Sequence, residues 1–578
     1  KTLNAQAAGA AGVIIYNNTD GVVNMATDPA IVIPQLFMLK SDGDRMAAAL
    51  QDGKTVTVTF TGKVAAVPNP EAGLLSDFSS WGLTPNLDFK PEILAPGGQI
   101  YSTVNDNQYE TMSGTSMAAP HVAGGSALVL ERVDDEFGLE GFDRANLAKN
   151  LMLNTAQPIE FDGAYLSPRG QGAGLMQLHA ALSTPVVVTY ERSGEAKVPL
   201  KEVKGNAVTF KLVAENLSDE DATYVVTGNA QTDYPVNAGG GLYVVAPKLF
   251  GSLDLGNVVR INGKTSDTVT VPAGGKTTIQ VSVDVSGWDS LLKTYFTNGY
   301  WLEGFVRFID PNDVNPDLVV PYVGFKGEWD KAPIFDYPVW DPMTYYGYTT
   351  VLSEESDGFY YIGIDQVTEE IDPNKIAFSP NGDGIQDKVV PLFSMFRNAK
   401  EINATVVNSS GRTVATLGSI EYLRKNYYDS GRGDMYYLYD LVWDGKMNGR
   451  MVAPEGQYYI KLEGVIDYEG ARKQSIMLPV KLDYTKPTIN GALGADRQTL
   501  TLNISDNLSG VAIYQVWVNG QPVAEGYNAN GVVTVNLGQA LPVGAKLSVA
   551  AIDYAGNYVE KVILQESRRS LTTFNLMN

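Results

Sequence analysis

The sequence predicts a multidomain chain, α/β in its first third and all-β thereafter. Three observations carry this reading. At 578 residues the chain is longer than one hydrophobic core usually supports. As far as Pro185, helical spacing of apolar residues alternates with short apolar runs. Beyond Pro185, period-two alternation takes over, interrupted by glycine- and proline-rich turns.

The elements follow in order. Between Lys1 and Ala11, residues Leu3, Ala7, Ala10 and Ala11 share one helical face. Gly12 to Asn18 reads as a buried strand ending in a turn, and Ile31-Val32-Ile33-Pro34 as a second strand. Asp42 to Leu50 reads as a helix and Thr55 to Thr61 as an alternating strand. Ile93, Leu94 and Ala95 suggest a buried strand, and Leu139 to Ala156 has helical spacing through Leu147, Leu151 and Leu153. Ala207 to Val213, Thr277 to Val285 and Gly304 to Phe308 then alternate with period two. Turns at Ala238 to Gly241 and Pro272 to Gly275 separate them, as in a β-sandwich.

Further on, Ser379 to Asp387 brings Asn381, Asp383 and Asp387 together between glycines. Oxygen ligands at such short spacing suit Ca²⁺, although no glutamate closes the loop as in an EF-hand. An Asx-rich turn opening a strand is the other reading of these three residues. Gly431-Arg432-Gly433-Asp434 contains an Arg-Gly-Asp tripeptide, which reads as a chance turn. Asp506 to Gly510 and Asp553 to Asn557 look like repeated turns of bacterial Ig-like modules, which leave room for a second Ca²⁺ site that the sequence does not establish, and the tail from Ser567 reads as mobile.

The stretch that points to chemistry is Gly114-Thr115-Ser116-Met117-Ala118-Ala119-Pro120-His121-Val122-Ala123-Gly124. Thr115 or Ser116 can cap a helix start, where backbone N–H groups lack intrahelical acceptors. Met117 to Leu130 is almost entirely small or apolar and reads as a buried helix. A serine at its mouth presents a hydroxyl to a cleft, and the positive end of the helix dipole faces any oxyanion formed there. Backbone groups at Gly114 and Ser116 are the candidates for oxyanion and substrate contact.

This string closely resembles the nucleophile motif of the subtilisin-like serine proteases. Phe78-Ser79-Ser80-Trp81-Gly82, Lys90 to Gly98 and Ser167 to Gly174 look like further landmarks of that family. The first 68 residues resemble the later part of a protease-associated domain. Asn298 to Gly304 and Val320 to Phe325 look like the fibronectin type III-like domain that follows the catalytic domain in lactocepin and the streptococcal cell-envelope peptidases. The resemblance implies a partial protease-associated domain over 1–68 and the C-terminal part of an α/β subtilisin-like catalytic domain over 69–185. It further implies all-β fibronectin type III/Ig-like sandwiches over 186–333, 334–484 (with the Ca²⁺-type loop) and 485–568, and a tail over 569–578.

The same resemblance exposes a gap. In the subtilisin order the triad runs Asp, His, Ser. The chain has two histidines, His121 and His179, both C-terminal to Ser116. His121 reads as a satisfied core histidine, and His179 as a surface or helix residue rather than a base. The segments that carry the family's Asp, His and oxyanion-hole Asn are absent from the 578 residues. The expectation is a catalytic Ser116 whose base comes from a second polypeptide, an N-terminal fragment of the same protease separated by a nick before Lys1. A rewired hydrolase using His179, or a non-catalytic surface protein on a decayed protease scaffold, are the alternatives.

Composition narrows the partners. A formal net charge of −22 argues against nucleic acid and anionic membrane surfaces. There is no cysteine, hence no disulfide framework and no thiolate metal site, which suits an exported Gram-positive protein. No apolar run is long enough to span a bilayer, so no membrane insertion is expected. The expected substrates are extracellular proteins or peptides. No cofactor is expected for catalysis, and Ca²⁺ would be structural.

Overall fold

A computed structural model describes every residue except 20–24, 26–27, 60–71, 162, 247–250, 427–434, 439 and 566–578. The Arg-Gly-Asp tripeptide and the C-terminal tail lie outside the described residues. The chain divides into two units, residues 1–328 and 329–578.

The first unit opens with helix α1 (Thr2–Ala7) and two parallel strands, Val13–Tyr16 and Gln35–Met38, followed by helix α2 (Lys40–Gln51). The second strand starts after Pro34 rather than at Ile31. Proline has no N–H to give to a ladder, and here only the Pro34 carbonyl takes part, accepting from the Val13 amide at 2.8 Å. Residues 55–59 form no strand, and 60–61 fall outside the described residues. Ile93 to Ala95 are half-buried and make a single bridge, Leu94 to Leu175, instead of a buried strand. Their other side borders an open cleft, so nothing completes a sheet there.

A hairpin of Ile100–Val104 and Gln108–Met112 leads into the long helix α3 (Thr115–Phe137). Helix α4 (Gly141–Asn154) packs against α3 through a core of Val129, Val133, Ala148, Leu151 and Met152. Two short helices follow, α5 (Pro168–Gln171) and α6 (Leu178–Ser183). Ser167 caps α5, its hydroxyl accepting from the Arg169 amide at 3.1 Å.

From Val186 the first unit is a sandwich. One sheet runs Val259–Ile261, Lys276–Asp284, Ala207–Asn216 and Val186–Tyr190. The other has seven strands centred on Tyr300–Ile309, which pairs with Leu318–Lys326 in antiparallel register from Tyr300↔Lys326 to Phe308↔Leu318. The alternation read in the sequence sends Phe210, Leu212, Ile279, Val281 and Phe308 into one core between the sheets. The second unit holds two further all-β cores. One is built around Trp443, Phe378, Ile460 and Leu478, the other around Leu502, Val516, Leu547 and Val549.

The catalytic-type segment is bolted to the sandwich that follows it. Arg169 is 3% exposed, and its Nε donates to Glu303 Oε2 at 2.8 Å. Its Nη2 also pairs with Asp233. The guanidinium lies 5.1 Å from the Trp81 ring centroid and 4.6 Å from that of Trp301. Burial alone would lower the Arg169 pKa, but Asp233 and Glu303 hold the cation charged. Removing one partner of such a group leaves an uncompensated buried charge. Arg169→Met is therefore expected to destabilise the first unit by about 3–5 kcal/mol in denaturant unfolding, with Arg169→Met/Glu303→Gln recovering part of the loss.

Candidate active site

The N-cap of helix α3 is Gly114, not Thr115 or Ser116, and no side chain caps it. The N-cap glycine has φ +156° and ψ +162°, a conformation that disfavours other residues. Thr115 thus becomes the first helical residue and Ser116 the second. At that position the Ser116 N–H has no acceptor four residues back, and the helix dipole adds positive potential. The Ser116 side chain is exposed.

Three contacts fix the turn that carries it. The Gly114 amide donates to the Gly97 carbonyl at 2.9 Å, the Ser113 hydroxyl accepts from the Gln99 amide at 2.8 Å, and the Met117 amide donates to the Gly114 carbonyl at 3.0 Å. Gly97 has to be glycine. A Cβ there would sit 2.9 Å from the Gly114 oxygen and 3.2 Å from Ala118 Cβ. The Gly114 N–H, being engaged by Gly97, is not free for an oxyanion, which corrects the expectation for that residue. The Ser116 N–H remains the candidate donor.

The segment that includes Gly97 is itself anchored. Glu92 receives Lys197 at 2.6 Å, Lys149 at 2.7 Å and Lys90 at 2.7 Å. Its carbonyl accepts from the Ala173 amide at 2.9 Å, which ties Lys90 to Gly98 to the closing Ser167 to Gly174 motif. A cleft of about 660 Å³ runs beside the helix mouth, lined by Phe78, Ser80, Ile93, Pro96, Ser113 and Thr115 among others.

Neither histidine serves Ser116. His121 is exposed, not core. Its Nδ1 lies 2.8 Å from the Met117 carbonyl. Since a carbonyl only accepts, Nδ1 carries the proton and the ring is turned back along its own helix. His179 sits exposed on α6. Among the described residues, neither ring hydrogen-bonds the Ser116 hydroxyl.

The helix is also not buried as its composition implies. Gly125, Val129 and Val133 are buried, but Ala119, Pro120, Ala123, Gly124, Ala127 and Leu128 are exposed, Leu128 by 45%. An exposed flank that is apolar but for His121 marks a surface suited to contact.

The loop at Asn381 to Asp387 forms Asx turns. Asp387 Oδ1 and Oδ2 accept the Gly382 and Gly384 amides at 2.6 and 2.8 Å, and Asp383 Oδ1 accepts the Ile385 amide at 2.9 Å. Asn381 Oδ1 accepts the Asp383 amide at 2.9 Å. The loop's own amides bond oxygens of all three side chains, as in an Asx-rich turn opening a strand.

A serine leading an apolar helix after a fixed glycine turn, beside a cleft, is the arrangement that the resemblance to the subtilisin-like serine proteases implies. Three segments of the chain match known families: residues 54–174 the Subtilase family, 1–46 the PA domain and 198–323 an Fn3-like domain. Over 556 residues it is 31% identical to the PII-type proteinase of Lactococcus lactis subsp. cremoris, covering 88% of this chain and 28% of that protein. The PII-type proteinase of Lacticaseibacillus paracasei gives the same identity and coverage. The C5a peptidase of Streptococcus pyogenes serotype M1 is 28% identical over 570 residues, covering 87% of this chain and 46% of that protein. The resemblance to cell-envelope subtilisin-like proteases therefore holds, and the chain spans between about a quarter and a half of the length of these relatives.

Two outcomes follow from the site's supports. Gly97→Ala pushes Cβ against the Gly114 carbonyl and is expected to cost about 1–3 kcal/mol in denaturant unfolding. Burial raises the Glu92 pKa, but the three lysines bring it down from 4.5 to about 2. The folded state thus binds fewer protons than the unfolded state in that window, and this part of the stability is lost as pH falls from about 4.5 through about 2. Glu92→Gln is expected to flatten that acid slope in pH-dependent melting.

Proposed function

We propose that this chain is the nucleophile-bearing part of a secreted or cell-envelope subtilisin-like serine endopeptidase acting on extracellular proteins. Ser116 Oγ attacks the scissile carbonyl, and the Ser116 N–H with the start of α3 stabilises the oxyanion. A histidine oriented by an aspartate takes the hydroxyl proton and returns it to the leaving amine. Both residues, and an oxyanion asparagine, come from the N-terminal part of the same protease rather than from these 578 residues.

One observation carries this reading. The apolar flank of α3 next to exposed Ser116 lies bare, and neither histidine is turned to the hydroxyl. A core-type helix surface at the nucleophile is what a catalytic domain shows when the segment bearing its base is missing. A serine without a base is a weak nucleophile.

Fluorophosphonate labelling read by intact mass tests the proposal. This chain alone is expected to take no adduct. Joined to the N-terminal part of the protease it is expected to take one, at Ser116, which Ser116→Ala abolishes. An adduct on the isolated chain that His179→Ala removes would favour a base within the chain instead, and no adduct in either form would favour a non-catalytic surface protein.

A further inference from the structure

Three carboxylates meet in the second unit, away from the nucleophile segment. Asp483 follows the strand Gln474–Leu482, Asp506 follows Thr499–Ser505, and Asp553 ends Lys546–Asp553. One oxygen from each lies within 4.8 Å of the other two. Asp483 is 0% and Asp553 2% exposed. The group joins the exit of one sandwich to two turns of the next.

Backbone amides aim these side chains. Asp483 Oδ2 accepts the Ser509 amide at 2.8 Å, Asp506 Oδ2 those of Leu508 and Gly510 at 2.8 and 2.9 Å, and Asp553 Oδ1 those of Ala555 and Asn557, both at 2.9 Å. Asp483 Oδ1 also accepts the Thr485 amide at 3.2 Å and Asp553 Oδ2 the Asn557 Nδ2 at 3.0 Å, so each carboxylate is held in place on its own turn. Asp506 Oδ1 is buried with no hydrogen-bond partner. The Ser509 hydroxyl, on a residue 4% exposed, is buried against the Asp483 carboxylate without a well-formed hydrogen bond. Buried polar atoms are rarely left so.

Among the described residues no side-chain cation forms an ion pair with the group. Lys481 is close enough to be felt by Asp483 and Asp506, but its ammonium donates to the carbonyls of Asn374 at 2.6 Å and Leu508 at 3.0 Å. Like charges at this spacing in a buried site call for a proton or a metal ion.

We propose that Asp483, Asp506 and Asp553, with the Ser509 hydroxyl, form a Ca²⁺ site that locks the junction of the last two sandwiches. The donors are all hard oxygens. Oxygens on opposite sides of a Ca²⁺ ion, each about 2.3–2.6 Å from it, stand about 4.6–5.2 Å apart, whereas Mg²⁺ at about 2.0–2.1 Å draws them closer than about 4.2 Å. The three carboxylate oxygens, all within 4.8 Å of one another, can be spanned by one such Ca²⁺ ion. The ion would also reinforce the existing junction, where Asn557 Nδ2 donates to the Asp483 carbonyl at 2.9 Å and the Ser379 hydroxyl donates to Asn557 Oδ1 at 2.7 Å.

The test is calorimetric melting of the whole chain at pH 7.5 after EGTA treatment, with CaCl₂ or MgCl₂ added. At free Ca²⁺ about a hundredfold above the dissociation constant, the transition is expected to rise by about 5–10 °C, and by less with Mg²⁺. Asp506→Asn should abolish the rise, and Ser509→Ala should weaken Ca²⁺ affinity severalfold. Asp383→Asn, in the separate Asx-turn loop, should leave it intact. An unchanged transition in the native chain would overturn the proposal, as would a rise that Asp383→Asn removes and Ser509→Ala does not affect. Should Asp506→Asn fail to fold, the Ser509→Ala and Asp383→Asn comparison still decides.

Discussion

Helix α3 has to meet two demands, and much of the first unit is arranged around them. Its first turn must stay open so that the Ser116 hydroxyl and amide face outward. Its body, nearly all small or apolar, must be covered to be stable in water. Gly114 meets the first by starting the helix without a side chain or a side-chain cap. Gly97 holds that turn from behind, its carbonyl accepting the Gly114 amide and its missing Cβ leaving room for the approach. The second demand is half met: α4 and α6 cover Val129, Val133 and Gly125, while the flank through Ala119, Ala123 and Ala127 stays bare.

A second constraint makes the segment that carries Ser116 and the following sandwich one body. Arg169 closes the segment's last family landmark, Trp81 belongs to its first, and Glu303 and Asp233 are sandwich residues. A guanidinium placed between two indoles and two carboxylates gains only if every partner is present. The sandwich is thus part of what keeps the cleft walls in place, besides any role in spacing or substrate positioning.

The sequence conveyed the elements better than their surroundings. Period-two alternation in Ala207 to Val213 and Thr277 to Val285 fixed both strands and their buried faces, because a strand's pattern is local. The nucleophile helix was legible from Gly114 to Leu130 for the same reason. Its exposure was not, since burial depends on what packs against it, and His121 lies on the uncovered side. The Asn381 to Asp387 loop looked metal-like because three ligand types crowd a short span, yet such spans satisfy their own amides. The carboxylates that do converge come from Asp483, Asp506 and Asp553, far apart in sequence. Their turns at Asp506 and Asp553 stood out in the sequence, but only the packing of two sandwiches adds Asp483.

The claim on which the account rests is that the bare flank of α3 is one half of an interface to the base-bearing segment. The chain has no native cysteine, so Ala123→Cys places a single thiol on that flank. Its reaction with a maleimide, followed by mass, measures cover directly. The account predicts fast, complete modification in this chain alone and near-complete protection once the N-terminal part of the protease is joined to it. Equal reactivity in both would show that the flank is not the interface and would contradict the account.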